Sequence, residues 1–139
     1  MNIEEIYKFL EETQGLKRKQ MAPSVDLNYD LGIEGDDFFE LEEEFAKRYA
    51  VNMNPYRWYF HHGEEGWSIG SLFSPAPYRQ VEHIPVTPEI LLQAARTKSW
   101  PIKYPEHSIT SRTIEFTINK LVLLVSLGFI ALCILYKTA

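Results

Sequence analysis

The chain has 139 residues, with 19 acidic and 14 basic side chains and a formal net charge of −5. At roughly 100 to 200 residues per domain, this length allows one domain or at most two. All 19 acids but only 12 of the 14 bases lie before residue 118, so that part carries 12 − 19 = −7. This surplus argues against nucleic acid as a partner, because phosphate binding needs clustered lysines and arginines. The single cysteine excludes an intramolecular disulfide and a cysteine-based zinc site.

The N-terminal segment has the pattern of an amphipathic helix. From Ile3 onward, apolar side chains recur at i, i+3, i+4 and i+7. Asn2 is placed to cap the start and Gly15 to end it, so the spacing predicts a helix over 3–14. We interpret the basic residues 17–19 as complementing the negative end of this helix rather than as a docking site.

A second helix is predicted over 37–49, after a long loop over 21–32 that is rich in proline, serine, aspartate and asparagine. Its apolar stripe comprises Phe38, Leu41, Phe45 and Tyr49. Four glutamates lie largely outside that stripe: Glu40, Glu42, Glu43 and Glu44. Paired carboxylates can do acid/base work or hold a metal, but a charge run on a helix usually forms a solvated face.

The run DLGIEGDDFFELEEEF, residues 30–45, resembles the phosphopantetheine-attachment region of acyl carrier proteins. Carriers have a D-L-G segment followed by D-S-L and an acidic helix that ends in E-E-E-F. Residues 51–60 and 85–101 resemble a family of bacterial domains of unknown function with an acyl-carrier-like core. The resemblance implies a mainly α fold, with a small acyl-carrier-like domain over 1–101.

In this resemblance Gly35 occupies the position of the modified serine. Glycine has no hydroxyl, so the resemblance implies a carrier-like domain without a prosthetic arm, and no cofactor is expected. Ser71 lies in the segment GSLF, which superficially repeats the carrier motif, so it is another candidate for the modified serine. It is followed by Pro75 and Pro77, which oppose the helix that should start at a modified serine. The acidic helix of a carrier docks on basic partner surfaces, which implies a docking face here. Its residues are Asp36, Asp37, Glu40, Glu43 and Glu44.

The aromatic run NPYRWYF fits a strand or a short helical turn almost equally well. Adjacent His61 and His62, followed by Glu64 and Glu65, invite interpretation as a metal site. Side chains at neighbouring positions do not converge on a helix or a strand, so no metal is expected there. We expect instead a solvated turn around 63–66.

A third helix is predicted over 88–97. Thr87 is a good N-cap and Pro88 suits the first helical position. His83 and His107 are isolated in the sequence, and we expect both to be surface residues rather than catalytic ones.

Residues 121–136 read LVLLVSLGFIALCILY, and eleven of these sixteen positions are leucine, isoleucine, valine or phenylalanine. On an insertion scale they contribute roughly −3 to −7 kcal/mol. A helix over 118–136 is about 28 Å long, close to a hydrocarbon core of about 30 Å. The pattern predicts a single transmembrane helix over 118–137, with the lipid bilayer as a partner, after a tether over 102–117. A helix buried in a core or an oligomer is the alternative.

The N-terminus MNIEEIYKFLEE has acids where a signal peptide has a basic and then an apolar region. Arg112 and Lys120 flank one side of the span against Lys137 on the other, a positive-inside bias toward an N-terminal domain in the cytoplasm. We therefore expect a tail-anchored, single-pass protein of the inner (cytoplasmic) membrane.

Three function classes follow from these patterns. The first is a membrane-tethered, non-modified acyl-carrier-like interaction module with a basic protein partner at its acidic helix. The second is a small structural or regulatory single-span membrane protein. The third is an enzyme, or a true acyl carrier that uses Ser71 or Ser24. We expect no enzyme, because neither a nucleophile nor a convergent acid/base set is visible.

Overall fold

The computed structural model describes residues 1–64, 66, 75–109 and 113–138, and within them the chain is mainly helical, as predicted. The described residues hold four α-helices: α1 (Ile3–Gln14), α2 (Gly35–Tyr49), α3 (Pro88–Thr97) and α4 (Thr113–Thr138). Short 3-10 turns lie at Arg18–Gln20, Trp58–Phe60 and Pro77–Arg79. Instead of β-strands, the described residues contain an isolated β-bridge between Asn52 and Ser99.

Helix α1 has the predicted bounds because both of its ends are capped. The Asn2 side chain accepts from the Glu5 amide, while the Glu5 carboxylate accepts from the Asn2 amide at 2.8 Å. Gly15 ends the helix with φ 64°, a left-handed conformation that glycine adopts readily. In the following basic segment, Arg18 pairs with Glu4 at 2.7 Å and so ties the chain back onto α1.

Helix α2 begins at Gly35, slightly before the predicted start. Gly35 has φ 50°, which lets the chain turn from an extended loop directly into the helix. Asp36 and Asp37 lie in the first turn and Lys47 and Arg48 in the last. These charges complement the helix dipole at both ends.

Helix α3 matches its predicted bounds. The Thr87 hydroxyl accepts from the Ile90 amide at 3.3 Å, and Pro88 occupies the first turn, where its missing N–H costs nothing.

The chain divides into two compact units, of which Met1–Glu65 with Val81–His107 is one and Gly66–Gln80 with Ser108–Ala139 is the other. In the first unit, α1 packs against both α2 and α3. The apolar faces of the three helices meet in a core that includes Ile6, Phe9, Leu10, Phe38, Leu41, Phe45, Leu91 and Ala94. The predicted stripe of α2 is thus buried, apart from Tyr49, which is partly buried.

The long loop before α2 is ordered by its own polar side chains. Asn28 is buried, and its side-chain amide donates a hydrogen bond to the Ile33 carbonyl at 2.7 Å. The Asn28 backbone amide donates to Asp26 at 3.1 Å, and the Leu27 amide donates to the Val86 carbonyl at 2.9 Å. These bonds satisfy buried backbone groups where no regular structure can do so.

Helix α4 contains a stretch, Phe116–Lys137, that is long and apolar enough to cross a membrane. It has 22 residues, a mean hydropathy of 2.4 and no buried portion. At 1.5 Å per residue it is about 33 Å long, which matches a hydrocarbon core of about 30 Å. Helix α4 begins at Thr113, so residues 113–117 are helical and the tether predicted over 102–117 is wrong for them. No proline or glycine interrupts the chain between Thr113 and Gly128, so the helix of the span can extend back to Thr113.

Candidate functional site

The predicted docking carboxylates share the solvent side of α2. Four of them are exposed: Asp36, Asp37, Glu40 and Glu43. Within the described residues, none of these four has a hydrogen-bonded or ion-paired partner. The fifth, Glu44, accepts a bond from Arg48 at 3.2 Å and is partly exposed. The structure therefore leaves four of the five carboxylates available to a partner.

A groove of about 370 Å³ runs beside this acidic face. Its walls come from the end of α1 and the middle of α2: Thr13, Gln14, Glu40, Glu43, Glu44 and Lys47. The last turn of α1 carries no basic residue, so the negative end of its dipole adds to the field of the glutamates. The groove favours a cationic group, although Lys47 in the wall offsets part of that field.

Arg48 holds α1 and α2 together at the edge of the groove. Its guanidinium donates to Glu12 at 2.7 Å and to Glu44 at 3.2 Å, and it lies 4.9 Å from the centre of the Phe9 ring. The hydrogen bond to Glu12 raises the pKa of Arg48, so the cation is permanent. Glu44 thus has a structural partner that the other four carboxylates lack.

Gly35 is buried at the first position of α2 and has a left-handed backbone, with φ 50°. Any other residue there would adopt a conformation that costs roughly 1–2 kcal/mol. Ser24 lies in a turn rather than at the start of a helix, which is where the resemblance places the modified serine. Ser71 lies outside the described residues.

Glu42 differs from its neighbours because it faces the protein. Its side chain is only 16% exposed, and one carboxylate oxygen accepts bonds from the Tyr56 hydroxyl and from Nε2 of His62. The sequence placed Glu42 with the other glutamates of the solvated run, and for this residue that interpretation is wrong. No periodicity distinguishes a glutamate with a buried partner from one without.

His61 and His62 are buried, with 0% and 2% exposure, so the solvated turn predicted around 63–66 does not extend to them. The Phe38 ring stacks on the His62 ring at 4.5 Å, and Phe39 meets the same ring edge-on at 4.7 Å. Both imidazoles therefore pack as aromatic members of the core. The unbroken aromatic run before them was the available signal, since a 3-10 turn at Trp58–Phe60 directs its end inward.

His61 belongs to a fully paired hydrogen-bond network. The Tyr104 hydroxyl oxygen accepts from the Trp100 indole at 2.8 Å and from the Arg57 amide at 3.1 Å. Its proton is then donated to Nε2 of His61 at 2.7 Å, and Nδ1 of His61 donates to the Ile84 carbonyl at 2.6 Å. This network requires a neutral imidazole. Burial agrees with it, since it lowers the pKa of His61 to about 4.

Tyr56 links the His61 network to α2. Its ring stacks on the His61 ring at 5.0 Å, and its hydroxyl donates to Glu42. Burial, together with the Glu42 charge, raises the pKa of Tyr56 well above its usual value. Burial also raises the pKa of Tyr104. We call Glu42, Tyr56, His61, His62 and Tyr104 the buried polar cluster.

His83 is partly exposed and contacts two side chains that are distant from it in the sequence. Its Nε2 lies 2.6 Å from a carboxylate oxygen of Asp26, and its ring stacks on the exposed Tyr29 ring at 3.8 Å. Such a pair can transfer protons. Among the described residues, however, no hydroxyl or thiol is hydrogen-bonded to His83 as a nucleophile would be. His107 is exposed as expected, with Nε2 2.8 Å from the Tyr59 hydroxyl.

In the described part of the chain, no three histidine, cysteine, aspartate or glutamate side chains converge as metal ligands. The adjacent histidines are engaged with protein partners instead. His61 bonds Ile84 and Tyr104, while His62 bonds Glu42 and the Gly63 carbonyl.

The fold and the site together define a small helical domain followed by a helix that can cross a membrane. The model of a family described as protein of unknown function (DUF1493) matches residues 2–102, and the chain belongs to this family. The match contains α1, α2 and α3 and ends before α4. No curated protein and no solved structure matches the chain. The expected membership in a domain family of unknown function is confirmed at that level.

Proposed function

We propose that this protein is a membrane-tethered, non-modified interaction module that docks a basic protein surface on the acidic face of α2. Helix α4 holds it in the inner (cytoplasmic) membrane, with the N-terminal domain in the cytoplasm. The domain is carrier-like in its surface and performs no catalysis of its own.

The observation that carries the docking proposal is the unpaired state of Asp36, Asp37, Glu40 and Glu43. Like charges three or four positions apart on a helix repel each other by a few tenths of a kcal/mol per pair. No base among the described residues forms an ion pair with these four carboxylates, and Lys47 in the groove wall offsets only part of their field. A basic surface would relieve it, and the groove beside Glu40 and Glu43 gives such a surface a shaped place to bind.

The carrier-like character is supported by the order of the elements. A capped first helix, a long ordered loop and an acidic second helix follow one another, as the resemblance of residues 30–45 implies. The buried, left-handed Gly35 at the start of α2 offers no hydroxyl to a modifying enzyme. The proposal therefore retains the docking surface of a carrier without its prosthetic group.

The membrane part of the proposal is supported by the length and uniform apolarity of Phe116–Lys137. A helix that is apolar on every side and is not buried by the protein would expose a large apolar surface to water, which is unfavourable. A lipid bilayer would cover that surface. The flanking bases Arg112 and Lys120 favour a cytoplasmic domain by the positive-inside rule.

Charge reversal tests the docking proposal. Because Glu44 is paired with Arg48, the informative variant is E40K/E43K, and the matched control is E82K/E89K, which reverses two exposed acids away from α2. Full-length protein, solubilised from native membranes, should lose its captured partner in E40K/E43K and retain it in the control. Capture that is equal in all three proteins would leave the small structural or regulatory protein as the better account.

Two localisation measurements test the anchor. The full-length chain should resist alkaline carbonate extraction, and a reporter fused to the N-terminus should behave as cytoplasmic. Release of the intact chain into the carbonate supernatant would contradict membrane insertion, and a reporter active only outside the cytoplasm would contradict the orientation.

A further inference from the structure

Residues 101–107 follow the last buried residue after α3, Trp100, which is 5% exposed. We call this segment the strap. Ile102 and Tyr104 pack against the core, whereas Lys103, Pro105 and Glu106 are exposed. The strap therefore presents alternate side chains to the domain and to solvent.

The strap is held by side chains rather than by its backbone. In the described part of the chain, no backbone group of 101–107 bonds another backbone group outside regular structure. Pro101 and Pro105 have no N–H to donate. The attachment consists of apolar packing and of side-chain hydrogen bonds. Ile102 packs on the core, and the rings of Tyr104 and His107 lie 4.8 and 4.9 Å from the Phe60 ring. The bonds are those of the Tyr104 hydroxyl and a 2.8 Å bond between His107 and Tyr59.

Tyr104 supplies the most specific of these contacts. Its hydroxyl bonds three partners that lie in different parts of the domain: the Arg57 amide, the His61 imidazole and the Trp100 indole. Removing the single hydroxyl would leave the donors of Arg57 and Trp100 and the acceptor of His61 without that partner. Because the three bonds share one hydroxyl, a single substitution removes all of them.

The position of the strap determines how much chain can separate the domain from the membrane helix. Between the strap and Thr113 lie residues 108–112, a stretch that spans about 20 Å when fully extended. If the strap were released, residues 101–112 could span about 45 Å. Release would roughly double the distance that the covalent connection allows.

We infer that the strap is a releasable attachment, held by Tyr104, that sets how far the acidic docking face can reach from the bilayer. This inference rests on the proposed membrane anchoring of α4. With the strap bound, the covalent connection between the domain and α4 can span at most about 20 Å. With the strap released, the same docking face explores a larger volume, at a lower effective concentration for any one partner.

Limited trypsin digestion of the full-length protein tests the attachment. The protein is reconstituted in vesicles of phosphatidylcholine and phosphatidylglycerol, and trypsin can cut after Lys103, inside the strap, and after Arg112, beyond it. In Y104F, cleavage after Lys103 should accelerate by at least about tenfold, because the variant removes all three hydrogen bonds of the Tyr104 hydroxyl. Cleavage after Arg112 should be unchanged, and mass spectrometry of the released fragments distinguishes the two cuts.

Y49F is the matched control, because Tyr49 also bonds through its hydroxyl, to the Glu5 carbonyl at 3.4 Å, and lies outside the strap. Cuts after Arg96 and Lys98 report whether a variant has unfolded. Cleavage after Lys103 that is equal in wild type, Y49F and Y104F would overturn the inference. Faster cleavage at every site in Y104F would also overturn it, because the hydroxyl would then stabilise the whole domain.

The reach is measured by Förster transfer from a donor dye on the N-terminal amine to acceptor lipids. Transfer should fall in Y104F and stay at the wild-type level in Y49F. Unchanged transfer despite faster cleavage would overturn the link between strap and reach. If the protein does not insert into vesicles, the proposed anchoring fails separately, and digestion in detergent still tests the Tyr104 attachment.

Discussion

The two sides of α2 carry the same residue type in opposite roles. On the solvent side, Glu40 and Glu43 are exposed and have no partner among the described residues. On the other side, Glu42 is mostly buried and accepts bonds from Tyr56 and His62. The fold thus divides a uniform acidic run into exposed carboxylates without partners and a buried carboxylate that bonds two side chains of the domain.

This difference shows that charge density alone does not define a binding face. The unpaired carboxylates contribute little to folding, so they can be changed to test binding without loss of structure. Glu42 cannot be changed in that way, because its removal leaves two buried polar groups without a hydrogen-bond partner. Four predictions test this division, from the largest expected effect to the smallest.

The first prediction concerns acid and the buried side. His61 is neutral in the fold, with a pKa of about 4, whereas an unfolded histidine has a pKa near 6.5. The unfolded state therefore binds a proton more tightly than the folded state between these two values. The free energy of unfolding should be at its full value above about pH 6.5 and should fall by about 3 kcal/mol as the pH is lowered toward 4. Denaturant unfolding of the domain between pH 7 and 5 should show the decline.

The matched variants for that titration are H61Q and H107Q. The first should lose most of the slope between pH 7 and 5, whereas H107Q, which changes an exposed histidine, should keep it. A wild-type stability that stays constant over this range would argue against a neutral His61. Asp26, His62 and His83 also act on His61, so the comparison of slopes is more informative than any single value.

The second prediction compares the two sides directly. E42A should lower the free energy of unfolding by about 2 kcal/mol, because the Tyr56 hydroxyl and the His62 imidazole lose their shared acceptor. E43A, one position along, should change it by less than about 0.5 kcal/mol. Equal effects, measured by urea denaturation, would mean that the division of α2 into two sides is wrong.

The third prediction concerns the start of α2. G35S should destabilise the domain by about 1 kcal/mol, because serine must adopt the left-handed conformation that Gly35 has there. Incubated with coenzyme A and a broad-specificity phosphopantetheinyl transferase, G35S should be modified weakly at best and the wild type not at all. An intact-mass increase on the wild type would mean that Ser71 or Ser24 carries an arm.

The fourth prediction is the smallest and has the opposite sign. E40Q/E43Q should raise the stability of the domain by about 0.5 kcal/mol, because it removes like-charge repulsion with Asp36, Asp37 and Glu44. Raising the salt concentration should reduce the gain. A loss of stability in this variant would reveal a structural role for the two carboxylates and would weaken the docking proposal.

Local patterns in the sequence were sufficient to place the regular elements. The bounds of α1 and α3 followed from Asn2, Gly15, Thr87 and Pro88, which act within one turn of their own position. The start of α2 was less accurate, because the left-handed geometry of Gly35 depends on the loop that leads into it. The helix that can cross a membrane was visible from composition alone.

The buried polar cluster could not be predicted in the same way. His61 meets Tyr104 only because residues 43 positions apart in sequence converge in the fold. Glu42 is distinguished from Glu43 by partners that no helical periodicity encodes. Short-range patterns therefore identified the acidic face but missed the histidines that pack beneath the aromatic segment.

Photo-crosslinking in intact membranes tests the central claim most directly. A benzoylphenylalanine at Lys47 lies in the wall of the acidic groove without removing a carboxylate, and the same label at Lys8, exposed on α1, is the control. The account predicts a discrete protein adduct from position 47, absent from position 8, lost in E40K/E43K and retained in E82K/E89K. An adduct from position 47 that survives E40K/E43K would contradict docking through the acidic face of α2.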